Sequence, residues 1–197
     1  MHEDHPEAIG QLSKGHAYDM ATNIFDRLPQ IFFDAKPTDE NDYIRILGRT
    51  NNERAYKYVR RDYVNKVKNL DKFKLFIPKA NGIGAFGEVI SSPITATPGV
   101  GSTETFLSIG ILDSEYEMDT ALKYIKTKFA RALLGVLKTT QDITPDKWKY
   151  VPLQDFTAHS DIDWSKSVAE IDRQLYRKYD LTADEIEFIE THVKEMA

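Results

Sequence analysis

The chain has 197 residues, 41% of them hydrophobic and 11% aromatic, with a formal net charge of −5 and no cysteine. Those proportions suit one domain, or one domain with an appendage, and exclude disorder, a disulfide framework and thiolate metal sites. No apolar run approaches the ~20 residues of a membrane-spanning helix, and the opening MHEDHPEAIG lacks the apolar centre of a secretory signal, so the expectation is a cytoplasmic protein with no membrane partner.

Residues 1–15 are polar and without period, and His2, His5 and His16 have no metal-ligand spacing, so all three are expected in solvent. Ile24, Leu28 and Ile31 hint at a helix that Pro29 breaks, which predicts a short helical turn followed by an extended segment. After the polar loop 36–42, Tyr43 to Arg49 is rich in β-formers. Thr50-Asn51-Asn52-Glu53 is turn chemistry, because Asn tolerates the left-handed backbone. Ala55 to Arg60 alternates, with Tyr56, Tyr58 and Arg60 on one side. Two such runs across a short turn predict a hairpin. Asn65 to Asp71 reads as a linker, and Phe73 to Ile77 as a further strand closed by Pro78.

The stretch 43–79 carries eleven bases (Arg45, Arg49, Arg54, Lys57, Arg60, Arg61, Lys66, Lys68, Lys72, Lys74, Lys79) against three acids (Glu53, Asp62, Asp71), so 11 − 3 leaves +8 on an acidic protein. Such an excess fits a polyanion partner, since Lys and Arg displace counterions from phosphates; an ordinary solvated strand face is the other reading.

Gly82, Gly84 and Gly87 match G-x-G-x-x-G by letter. A dinucleotide site needs a helix directly afterwards, and Val89-Ile90-Ser91-Ser92-Pro93 is a poor one. The alternatives are a plain turn, or a loop whose bare N–H groups approach a phosphate or groove closely. Residues 91–102 read as a loop, and Thr103 to Ile111 as a strand. Ser114 and Glu117 form a capping box that opens a helix expected from about 115 to 138, with Met118, Ile125, Phe129 and Leu133 on its apolar face. Its bases Lys123, Lys126, Lys128, Arg131 and Lys138 serve solubility or, beside the basic hairpin, phosphate contact. Trp148 to Pro152 is expected to dock on the sheet. Two further capping boxes, Ser167/Glu170 and Thr182/Glu185, open a closing pair of helices.

Several strings resemble the C-terminal region of type II restriction–modification DNA adenine methyltransferases, including enzymes that fuse methylase and endonuclease. They are KFKLFIPKANGIGAFGEVISSP (72–93), YIKTKFARALLGVLKTTQD (124–142) with KWKYVPLQDF (147–156), and DWSKSVAEIDRQLYRKYDLTADEIEFIE (163–190). The last is similar to that family's closing helix pair, with Ile171-Asp172, Leu175-Tyr176, Tyr179, Leu181-Thr182 and Glu185-Ile186 in its pattern; GRTNNERAYKYVRRDYV (48–64) resembles its preceding strand pair. The resemblance implies a target recognition domain for double-stranded DNA. It implies a catalytic methylase domain upstream in a parent chain, with S-adenosylmethionine bound there and no cofactor in this fragment. The family's Asn/Asp-Pro-Pro-Tyr/Phe motif is not found.

Asp26, Asp34 and Lys36 leave open a small Mg-dependent nuclease, and the closing helices leave open a protein-interaction module. His159 is read as a loop histidine. The expectation is an α+β fold: a mixed or antiparallel sheet over 43–111, one long packed helix and a C-terminal helical pair, with 1–160 the recognition domain and 161–197 the pair. No residue is assigned a catalytic or metal-binding role. Base contacts are expected from Arg49, Asn51, Asn52, Arg54, Asn81, Ser102 and Thr103, close backbone approach at Gly82, and phosphate contacts from Lys57, Arg60, Arg61 and Lys79.

Overall fold

The structure, a computed structural model, describes residues 1, 3–8 and 20–196. His2 and His16 lie outside the described residues. In chain order the elements are α1 (Ile24–Arg27), β1 (Tyr43–Thr50), β2 (Glu53–Arg60), β3 (Phe73–Pro78), β4 (Ile94–Ala96), β5 (Val100–Ser102), β6 (Phe106–Leu112), α2 (Glu115–Lys126), α3 (Lys128–Leu137), α4 (Val168–Lys178) and α5 (Ala183–His192). The fold is α+β, as expected, but the single sheet is two three-stranded sheets of order β2–β1–β5 and β4–β3–β6. The chain forms two compact units, Met1–Lys72 with Ala96–Phe106, and Phe73–Thr95 with Leu107–Ala197. None of the described helices is long and apolar enough to cross a membrane.

The first unit is built on the expected hairpin. Tyr43 faces Arg60 and Thr50 faces Glu53, which leaves Asn51 and Asn52 as a two-residue turn. Both have positive φ, 50° and 65°. A two-residue turn whose twist matches that of the strands demands this at both positions, and Asn adopts it more readily than most residues. The register sends Ile44, Ile46 and Val59 to one face, where they share a core with Phe25, Leu28, Ile31 and Phe32. Gly48 lies on the same face; a Cβ there would stand 2.5 Å from the Phe25 ring. β5, drawn from a stretch read as loop, pairs in parallel with β1, so the sheet is mixed. His5, expected in solvent, rests half-buried edge-on against Tyr63, 5.8 Å between centroids.

In the second unit the expected helix over 115–138 is two helices. Thr127 is extended (φ −60°, ψ 148°) and its hydroxyl accepts the Ala130 N–H. The apolar period runs on across the break, so pattern alone shows a continuous helix. A carboxylate 44 residues beyond Lys128 joins that cap at the start of α3: Asp172 accepts the Lys128 and Phe129 N–H groups at 3.0 and 2.9 Å. Two of α3's first four donors, which no helix can satisfy internally, are met this way. The predicted capping boxes of α4 and α5 are both present. These two helices share a core with α3: Phe129, Trp164, Ile171, Leu175, Tyr176, Ile189 and Val193. The Ile171-Asp172…Leu175-Tyr176 string is therefore architectural, three core side chains and a cap.

Burial pushes the Asp172 carboxyl up to about 6, against the pull of its two N–H bonds. It therefore holds its proton more tightly in the folded chain than at the ordinary value of 3.8, and folding takes up a proton between those two values. Its contribution to stability falls as pH rises through that window. The unfolding free energy of wild type relative to Asp172→Asn, from urea titrations, is expected to decline from pH ~4 to ~6 and level off above pH ~7. At the hairpin turn, Asn52→Val is expected to lower stability by about 1–2 kcal/mol and Asn52→Gly to spare it, read by the same titration.

Candidate nucleic-acid interface

Side chains alternate along a strand, so the register that buries Ile44 and Ile46 turns Arg45, Leu47 and Arg49 to the opposite face, with Tyr58, Tyr56 and Arg54 directly across from them. Leu47 is buried, while Arg49, Arg54 and Tyr56 at the turn end are exposed. The Arg45 guanidinium lies over the Tyr56 ring, 4.4 Å from its centroid. Arg49 donates to the Asn52 carbonyl. Arg54 makes no hydrogen bond or ion pair with a described residue, and the Asn51 and Asn52 side chains are likewise unengaged and exposed. The turn thus gathers four of the predicted base-contact residues at one solvent-facing tip.

The predicted phosphate contacts fare differently. Lys57 is paired with Asp34 at 2.7 Å. Arg60 is paired with Asp62 and with Asp4 at 3.1 Å, and the Asp62 hydrogen bonds, ahead of the other acids, hold its pKa above the ordinary value. Arg61 is paired with Asp42 at 2.6 Å and Asp71 at 2.8 Å. Three of these acids, Asp4, Asp34 and Asp42, come from outside the basic stretch, so folding offsets three of the eight excess charges counted along it. Lys74 is 1% exposed, on the inside of β3. Asp34, proposed from sequence as a nuclease ligand, has its carboxylate on Lys57.

Ser102 and Thr103 take part in building the sheet of this unit. Ser102 pairs with Leu47 in the β5–β1 ladder. Thr103 is 1% exposed, its N–H bound to the Leu47 carbonyl and its hydroxyl to Thr105. A base contact from Thr103 is corrected to a structural role.

In the second unit, Lys79 is half-buried and its ammonium engages no described residue. Asn81 is 4% exposed, and its side-chain oxygen accepts the Ser91 N–H at 2.8 Å. Burial removes it from base reading. The glycine loop also departs from expectation. Gly82, Gly84 and Gly87 all have positive φ (72°, 88°, 68°), and no helix follows. The N–H groups of Ile83 and Gly84 converge, as a phosphate cradle requires, but the carboxylate of Glu88 already fills them at 2.9 and 3.0 Å. Lys138, 3% exposed, forms an ion pair with Glu88 and donates to the Thr140 carbonyl at 3.1 Å. A Cβ on Gly84 would stand 2.5 Å from the Thr140 backbone, and one on Gly87 would strike the His192 carbonyl. The glycines let the loop pack on the chain after α3 and at the end of α5. Burial works against ionisation of Glu88, but the two N–H bonds and Lys138 outweigh it and hold its pKa below the usual range.

Three bases of α2 and α3 are also engaged internally. Lys123 donates to the Trp164 carbonyl at 2.8 Å, Lys128 is paired with Glu190, and Arg131, 3% exposed, donates to the Lys194 carbonyl. These bonds occupy groups that the sequence assigned to solubility or, as the alternative, to phosphate contact. Sequence reasoning named neither Arg45 nor Tyr56 as a site residue. The signal was available, since a two-residue turn at Asn51-Asn52 fixes every cross-strand pair back to Tyr43 and Arg60.

No protein-family model matches the chain, and neither a curated protein nor a solved structure does.

Removal of one partner from a buried ion pair leaves the other charge uncompensated. Lys138→Met is expected to lower stability by roughly 3 kcal/mol, with part of that recovered in the Glu88→Gln/Lys138→Met double variant, as a thermal double-mutant cycle would read.

Proposed function

We propose that this chain is a sequence-recognition module for double-stranded DNA, of the kind that serves an adenine-specific restriction–modification methyltransferase. Catalysis and S-adenosylmethionine belong, on this reading, to a methylase domain that acts with it. The family assignment rests on the strings quoted above, whose order along the chain matches that family's recognition region.

The binding mode rests on one observation: the exposed end of the β1–β2 hairpin, where Arg49, Asn51, Asn52 and Arg54 stand together with fork-shaped donors facing solvent. Arg and Asn are the side chains that pair bidentately with guanine and adenine edges. Arg54 has no partner among the described residues, so contact with DNA would cost it none of the bonds seen there. Lys57, Arg60 and Arg61 would each have to leave an acid first, and the reading assigns them no phosphate.

The test is binding of the protein to a mixed-sequence duplex, followed by fluorescence anisotropy over a range of salt concentrations. The Arg49→Ala/Arg54→Ala variant is expected to bind at least tenfold more weakly, because each bidentate base contact is worth about 1–3 kcal/mol. Lys57→Ala is expected to change affinity less than threefold. Equal affinity of the double variant and wild type would sink the reading.

A further inference from the structure

Arg49 and Arg54 are not merely neighbours; they are direct cross-strand partners. The two-residue turn makes Thr50 and Glu53 the hydrogen-bonded closing pair, and the alternation of an antiparallel ladder then makes Arg49–Arg54 a non-hydrogen-bonded pair. That is the closest side-chain approach a hairpin offers, with Cα atoms about 4.5 Å apart. Like charges directly opposed at such a site destabilise the hairpin. The only acid at the turn, Glu53, stands opposite Thr50 and so on the other face. The molecule thus keeps an unfavourable pair at an exposed tip while pairing Lys57, Arg60 and Arg61, further along β2 and just past its end, with acids. A local rule broken with no acid paired to either arginine among the described residues marks a site whose compensation comes from a ligand.

The geometry points to that ligand: we infer that the β1–β2 ribbon enters the major groove and that Arg49 and Arg54 read guanines on two neighbouring base pairs. This rests on the duplex-binding reading and adds to it the groove, the base and the step. A two-stranded ribbon fits the ~12 Å major groove, where each base pair shows a distinct pattern of donors and acceptors. Two forks rooted about 4.5 Å apart suit base pairs that rise about 3.4 Å per step. Guanine O6 and N7 are the acceptor pair that a guanidinium meets with two parallel bonds, and both face the major groove. Arg49 is held in place by the Asn52 carbonyl, which leaves it fewer rotamers to lose on binding.

The experiment selects duplexes from a randomised library with the wild-type protein. Single guanines of the selected site are then replaced by 7-deazaguanine, which lacks the major-groove N7, or by inosine, which lacks the minor-groove amino group. The expected result is a selected site with guanines at two adjacent base pairs, each losing about tenfold in affinity on 7-deaza substitution and little on substitution by inosine. Arg49→Lys and Arg54→Lys keep the charge and remove the fork; each is expected to relax selection at one of the two positions. Loss concentrated on the inosine duplexes would overturn the groove. A site without paired guanines, or Lys variants that select as wild type does, would overturn base reading in favour of a phosphate clamp. Failure of wild type to enrich any duplex would instead remove the duplex-binding reading underneath.

Discussion

Two asparagines in a left-handed backbone decide how the first unit is built. Because Asn51 and Asn52 both take positive φ, the turn has two residues, and every pair from Thr50–Glu53 back to Tyr43–Arg60 follows. A turn longer by one residue would slip β2 against β1 and turn Val59 away from the face that holds Ile44 and Ile46. The same constraint makes one face of the hairpin a core with Phe25 and Leu28 and gathers arginine and tyrosine on the other. Stability and the proposed contact surface thus have a common origin in local backbone chemistry.

Charge is redistributed by folding. Counted along the chain, 43–79 is strongly basic, but Asp4, Asp34 and Asp42 approach it in space and pair with Arg60, Lys57 and Arg61. Arg54 at the hairpin tip stays exposed and unpaired among the described residues, as do Lys66 and Lys68 further along the stretch. Exposed ion pairs of this type contribute little to stability, so their main effect is on the field the protein presents.

The second unit depends on carboxylates that serve backbone donors. Asp172 takes two N–H groups at the start of α3, and Glu88 takes two in the glycine loop. Each comes from outside the segment it satisfies or folds back across it. The Glu88 arrangement has the form of an anion cradle with its anion built in, and Lys138 completes it. That is why a string matching a phosphate motif by letter behaves here as a joint between segments.

Elements governed by near neighbours were legible in the residues. The hairpin, β3, the capping boxes of α4 and α5 and the short helical turn before Pro29 all depend on chemistry within a few positions. Short or interrupted features were not. β4 and β5 are three residues each, too brief for a period, and the break at Thr127 needs Asp172, which no window around residue 127 contains. Among the candidate contacts, the exposure of Arg49, Asn51, Asn52 and Arg54 was legible because turn chemistry implies it. Asn81 and Thr103 were misread because residue type does not reveal burial. Local order along the chain thus settled which segments are strands, turns and helices. Partners distant in sequence decided which cations stay free and whether the glycine loop is open, because electrostatic pairing and backbone satisfaction act through space.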